Sequence, residues 1–236
     1  MKTSLTAATI GFTLLIGATA AKADQLYNGL SIPSQTPNQQ GWTYQGDAIA
    51  PVPSATATTS GTILDTGNSQ NHSGYFKISP VILDRNKGYS ISFSTKVNSE
   101  SHSSSNRAGF SIIVTSNRVT GETQPYSLEL GFWTNSIWAQ NANFTRGENV
   151  SFNTQGAVNN YELRIQGTQY QLFANGSATP ILKGQLRKYA FSGLINPYAT
   201  SNLIFMGDDT TSATANITLQ SVYATPITTV TTTATK

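Results

Sequence analysis

The sequence predicts an all-β protein, an antiparallel β-sandwich that fills most of a 236-residue chain. Three observations predict it. Apolar and polar side chains alternate with period two in at least five segments, turn signals containing Gly or Asn separate those segments, and past residue 23 nothing shows a convincing 3.6-residue period. Strands in succession without intervening helices pack as two sheets around one core.

The first element stands apart from that sandwich. Lys2 opens a short positive start, Ile10 to Ala21 (IGFTLLIGATAA) is an apolar run, and Ala21-Lys22-Ala23 is an A-x-A cleavage site. This is the pattern of a secretory signal peptide over residues 1–23. The run falls short of the roughly 20 residues that span a bilayer, and no second one follows. The expectation is a mature chain that starts near Asp24 and is secreted, extracellular or periplasmic, with one domain over residues 24–224.

Within that domain the clearest strand is Tyr89 to Asn98. Tyr89, Ile91, Phe93, Thr95 and Val97 alternate there with Ser90, Ser92, Ser94, Lys96 and Asn98, so one face is buried and the other solvated. The period recurs in Ala108, Phe110, Ile112 and Val114, then in Tyr126, Leu128, Leu130 and Phe132. It recurs again in Tyr161, Leu163 and Ile165, and in Tyr170 and Leu172. Arg85-Asn86-Lys87-Gly88 precedes the first strand. Gln166-Gly167-Thr168-Gln169 joins the last two as a tight hairpin, and Asn175-Gly176 closes the strand that follows. Three segments read as exposed connections: Pro51 to Gly61, the Ser-rich Ser99 to Asn106, and a Thr-rich tail over residues 225–236, expected to be flexible.

Composition excludes several functions. Only 11% of the residues are charged, against roughly a quarter in an ordinary soluble domain. Coiled coils, charged disordered tails and nucleic-acid-binding arms need charge that this chain lacks. With no cysteine, a disulfide scaffold, a thiolate metal site and a Cys nucleophile are excluded as well. The net charge of +3 falls to +1 once Lys2 and Lys22 leave with the signal peptide, so long-range steering of an anionic partner is weak. Ser, Thr, Asn and Gln on the strand faces point to a neutral polysaccharide or another envelope surface as partner.

The order of segments resembles a concanavalin A-like, laminin-G-like jelly roll. The resemblance lies in Gly74 to Pro80 with Leu83-Asp84 and the Tyr89 strand, and in the hairpin Tyr161–Ile165, Gly167, Tyr170–Phe173 and Asn175-Gly176. Leu203 to Thr210 and Ile217 to Val222 complete it as closing strands. More narrowly, Val97 to Val114, Leu128 to Ala139 and the turn Gly207-Asp208-Asp209-Thr210 are similar to the bacterial exported proteins called choice-of-anchor domains, common in cyanobacteria. The resemblance spans roughly residues 70 to 224 and implies the fold, while family members mostly have no assigned chemistry. This chain departs from many of them in showing no C-terminal sorting anchor. The fold hosts lectins, glucanases and lyases, so function has to come from the site.

Catalytic signals are absent from the sequence. A glycosidase needs two carboxylates about 5 to 10 Å apart, and jelly-roll glucanases place them two residues apart on one strand face. None of the eleven acidic residues has an acid at i+2. A long-range pair such as Glu129 with Glu148 or Glu162 stays open. No G-x-S-x-G elbow, H-E-x-x-H or P-loop occurs. His72 and His102 sit in none of the lyase patterns and, without an acid cluster nearby, do not form a zinc site.

The strongest constellation is aromatic. Ser127, Glu129, Gly131 and Trp133 share one face of a strand, with Trp138 and Gln140 following on the same side by parity, and Arg107, Gly109 and Ser111 form the matching face of the preceding strand. Sugar rings stack on tryptophan while their hydroxyls bond to Glu, Arg and Gln, so Arg107, Glu129, Trp133, Trp138 and Gln140 are the candidate ligand-binding residues, with Gly109 and Gly131 leaving room for the ligand. The competing assignment makes both tryptophans packing residues and Arg107–Glu129 a structural ion pair. Asp208 and Asp209 are the candidate metal ligands, for Ca²⁺; the alternative is a turn whose Asp side chains cap nearby N–H groups. Lys183, Arg187 and Lys188 form one basic concentration, read as edge-strand charges. The expected function is a secreted, non-catalytic, lectin-like or cell-envelope matrix protein. The alternatives are a glycan-active enzyme with a dispersed carboxylate pair and a self-assembling surface protein.

Overall fold

The structure is a computed structural model and describes residues 22–46, 54–67, 72–191 and 196–227. Residues 1–21 of the expected signal peptide (1–23) and residues 228–236 of the expected tail (225–236) lie outside them. The chain forms two antiparallel sheets. The strands in chain order begin with β1 (Asp24–Asn28), β2 (Thr43–Gly46), β3 (Ser54–Thr58), β4 (Gly61–Asp65) and β5 (Ser73–Ile78). The middle of the chain supplies β6 (Tyr89–His102), β7 (Ser111–Thr115), β8 (Ser127–Phe132), β9 (Ser136–Gln140) and β10 (Arg146–Ser151). It closes with β11 (Asn159–Gln166), β12 (Gln169–Ala174), β13 (Leu182–Gln185), β14 (Leu203–Asp208) and β15 (Ala213–Pro226). One sheet runs β13-β12-β11-β6-β15-β4-β3 with β1 also paired to β15, and the other runs β10-β9-β8-β7-β14-β5-β2.

Alternation is what places the core. In β6, Tyr89, Ile91, Phe93, Thr95 and Val97 turn inward and are at most 1% exposed, while the serines between them face out. Phe93 of β6, Tyr161 of β11 and Phe132 of β8 meet across the two sheets, with ring centres 5.0 Å apart for Phe93–Tyr161 and 5.6 Å for Phe132–Tyr161. The β11–β12 hairpin has the two-residue loop read from the sequence: Gln166 pairs with Gln169, and Gly167 takes φ +61°.

Three connections prove to contain strands. Ser54–Thr58 lies inside the expected 51–61 loop and pairs with β4. Residues Ser99–His102, expected in a loop, extend β6 because Ala213 to Asn216 of β15 lie opposite them and satisfy their backbone groups. Strand β15 likewise continues through Pro226, two residues past the expected boundary, opposite Tyr89. In each case polar Ser and Thr side chains hide the strand from a search for apolar alternation, while tertiary pairing supplies the hydrogen bonds.

Candidate functional site

The seven-stranded sheet has two faces, and its outer face assembles the candidate residues. In β7, Ile112 and Val114 join the core between the sheets, whereas Ile113 turns outward to meet Leu203 and Phe205 of β14. That outer face is covered by the chain itself. Residues 186–191 and 196–202, from the link between β13 and β14, lie across it as a strap. Arg187 exchanges both backbone hydrogen bonds with Ser127 at 2.8 Å, Thr115 Oγ1 donates to Pro197 O at 2.7 Å, and Ser127 Oγ donates to Tyr198 O at 3.1 Å. Tyr189 and Tyr198 stack on each other, ring centres 4.3 Å apart, above the middle of the sheet.

Beneath this lid of tyrosines lies a polar cluster. Arg107 donates through Nη2 to Asp209 O at 2.8 Å and Oδ2 at 3.1 Å, and its Nη1 stands 3.9 Å from Glu129 Oε1. Tyr198 carries one hydroxyl proton yet reaches both Glu129 Oε2 at 2.6 Å and Asp209 Oδ2 at 3.1 Å. It cannot donate to both. Burial, reinforced by the negative charge of Asp209, pushes the Glu129 carboxyl up to about 8. Glu129 therefore keeps its proton at neutral pH and shares it with the Tyr198 oxygen, which frees the tyrosine proton for Asp209. Burial and the same two carboxyls raise Tyr198 itself far above the usual phenol range.

The expected ligand residues are thus brought together, but most of them face protein. Trp138 is fully buried, donates Nε1–H to Gln140 Oε1 at 3.1 Å, and lies over Gly131, where a Cβ would come within 2.8 Å of its ring. At Gly109 a Cβ would meet the Thr214 backbone at 2.1 Å. Both glycines make room for the protein's own atoms, which corrects the expectation that they leave space for a ligand. Gln140, 1% exposed, donates to Asn106 O, and Glu129 is 2% exposed. Trp133 is half-buried at the rim. His102 stacks on its indole with a 3.9 Å centroid distance and 7° between planes, the Arg146 guanidinium lies 4.4 Å from the ring centre, and Nε1 donates to Arg107 O at 3.0 Å. Its stacking surface is already in use.

The two aspartates point to opposite faces of the extended chain. Asp209 joins Arg107 and Tyr198. Asp208 faces the interior, accepts the Thr210 N–H at 3.0 Å, and is pushed up to about 9 by burial. A calcium cage needs several converging ionised oxygens. Here Arg107 occupies Asp209 Oδ2, and among the described residues no group of three His, Cys, Asp or Glu converges. Two carboxyls are a small part of the roughly six to eight oxygens that Ca²⁺ takes, and Asp208 Oδ1 caps the Thr210 N–H as in the alternative of a side-chain-capped turn. The basic concentration also disperses: Arg187 pairs with Glu148, Lys188 lies 4.8 Å from the Tyr126 ring centre, and Lys183 sits on the edge strand β13. Sequence reasoning missed Tyr189, Tyr198 and the Glu129–Asp209 pairing, because no periodicity marks the strap and the two acids come together only through the fold.

No family model matches the chain, and no curated protein matches it in sequence. Solved structures do resemble it. The carbohydrate esterase vb_24B_21 of Shiga toxin-encoding bacteriophage phi24B superposes with a TM-score of 0.61 at 11% identity, over 88% of this chain and 100% of that one. A Bacillus subtilis protein of unknown function with a galectin-like fold gives 0.54 at 11% identity, over 89% and 100%. The fold is an antiparallel jelly-roll β-sandwich. At this identity the likeness concerns the jelly roll alone and carries over no activity. Among the described residues, no helix is long and apolar enough to cross a membrane.

Proposed function

We propose that this jelly roll is an exported, non-catalytic module of the bacterial cell envelope that binds neutral glycan. The observation that carries the non-catalytic part is the closed outer face. The Glu129 and Asp209 carboxyls are the acids that the fold brings together on this face, yet Glu129 is 2% exposed beneath Tyr189 and Tyr198 and offers a polysaccharide no access. The segments that resemble choice-of-anchor proteins, Val97 to Val114, Leu128 to Ala139 and Gly207 to Thr210, are the ones that build this buried cluster, so the resemblance is one of scaffold.

The glycan part is supported by a surface rich in hydroxyl and amide groups with a few half-exposed rings, where Arg164 and Arg187 are each paired with a glutamate. Retention on insoluble polysaccharides and a glycan array, run beside a reducing-sugar release assay, tests the proposal. Binding without release is the expected result. Release of reducing sugar would overturn the non-catalytic assignment, and neither binding nor release would leave a structural surface protein.

A further inference from the structure

The outer face of the other sheet carries a row that no periodicity argument singled out. Phe173 of β12, Glu162 of β11, Ser92 of β6 and Tyr223 of β15 are directly paired across four adjacent strands. Three inter-strand steps of about 4.8 Å put the two aromatic positions roughly 14 Å apart. Between them the floor is small, because Ser92 and Ser94 alternate outward from β6 where larger residues would fill the gap. A cleft of about 320 Å³ results, lined by Ser92, Asn160, Glu162, Arg164, Phe173 and Tyr223 among others. That volume is at the lower end of small-ligand sites.

The chemistry of the walls selects the occupant. On one side Arg164 grips Glu162 through two hydrogen bonds, 2.9 and 2.7 Å, and lies 4.3 Å from the centre of the Phe173 ring. The charges cancel locally, so an anionic or cationic ligand would have to break a bidentate pair to gain a partner. On the other side the Tyr223 ring is half-exposed, and among the described residues its hydroxyl is tethered by a 3.4 Å contact to Gln25. Ser94 Oγ and Ser221 Oγ form a chain to Asn160 Oδ1 at 2.6 and 3.1 Å, which fixes the Asn160 amide. Its Nδ2 donors and the Ser92 hydroxyl bond to no other described residue. Unspent neutral donors and acceptors beside an aromatic ring, in an uncharged trough, match the hydroxyl-rich edge and apolar face of a sugar.

We infer that this cleft, and not the face under the strap, is where a neutral oligosaccharide chain binds, with Tyr223 as its stacking platform and Ser92 and Asn160 as its hydrogen-bonding partners. The inference rests on the glycan-binding function proposed above. The test takes the polysaccharide that retains the wild type best and measures affinity for its soluble oligosaccharide by calorimetry. Tyr223→Ala and, independently, Ser92→Trp, which fills the trough from its floor, should each weaken binding at least about tenfold, equivalent to 1.4 kcal/mol. Trp133→Phe should bind like the wild type. Circular dichroism and thermal melts establish that each variant is folded, and Ser92→Trp, pointing away from the core, stands in if Tyr223→Ala is not. Folded variants that bind like the wild type would overturn the cleft while leaving glycan binding intact. A wild type that no glycan retains overturns both.

Discussion

Glu129→Gln separates a carboxyl that holds its proton from one that does not. In the unfolded chain the group titrates near 4.5, and in the fold near 8. Between those values the folded protein binds one more proton than the unfolded chain, so stability is fully present below pH 4.5 and is lost as pH rises, at about 1.4 kcal/mol per pH unit. From pH 5 to pH 8 the expected loss is on the order of 4 kcal/mol, or roughly 10 °C in Tm for a domain of this size. A glutamine has the shape of the protonated acid. Its Nε2–H can replace the shared proton to Tyr198, so the variant should be about as stable as the wild type at pH 5 and more stable at pH 8. Urea unfolding of both proteins across pH 5 to 9 measures the difference, which subtracts the parallel contribution of Asp208. Equal pH dependence in the two proteins, or a glutamine variant destabilised at every pH, would refute the shared proton.

Three further outcomes follow from the same region. Gly131→Ala places a Cβ 2.8 Å from the Trp138 ring and should cost about 1–3 kcal/mol in chemical denaturation, although alanine is the smallest change available. Arg107→Ala leaves the Asp209 carboxylate without its cation; with the guanidinium 16% exposed, the loss in urea unfolding should be about 3 kcal/mol, the low end for breaking a buried pair. Calcium or a chelator should leave the Tm unmoved, and a calcium-dependent rise would reinstate Asp208 and Asp209 as ligands.

Much of the sandwich was legible because its information is local. Strand β6 announces itself through five inward and five outward residues, and the β11–β12 hairpin through one glycine at a two-residue loop. Strand β3 and the far end of β6 were not legible, since Ser54–Thr58 and Ser99–His102 hold their conformation through partners that lie elsewhere in the chain. The site was legible by residue type only. Arg107, Glu129, Trp133, Trp138 and Gln140 do converge, Glu129, Trp138 and Gln140 by parity on β8 and β9, and Arg107 from the segment before β7 rather than from a strand. Parity cannot tell whether a face is open to solvent or roofed by another segment.

The sequence by itself determined the fold class and the neutral character of the surface, because period-two alternation, turn glycines and a shortage of charge act on neighbouring residues and need no knowledge of the rest of the chain. Only the tertiary structure decided what each sheet face does. The link between β13 and β14 brings Tyr198 onto Glu129, 69 residues away, and with Tyr189 turns a candidate binding face into a second buried layer. The pairing of β12, β11, β6 and β15 leaves a serine-floored trough on the opposite sheet. Both results depend on which distant segments lie side by side, and alternation along one strand carries no information about that.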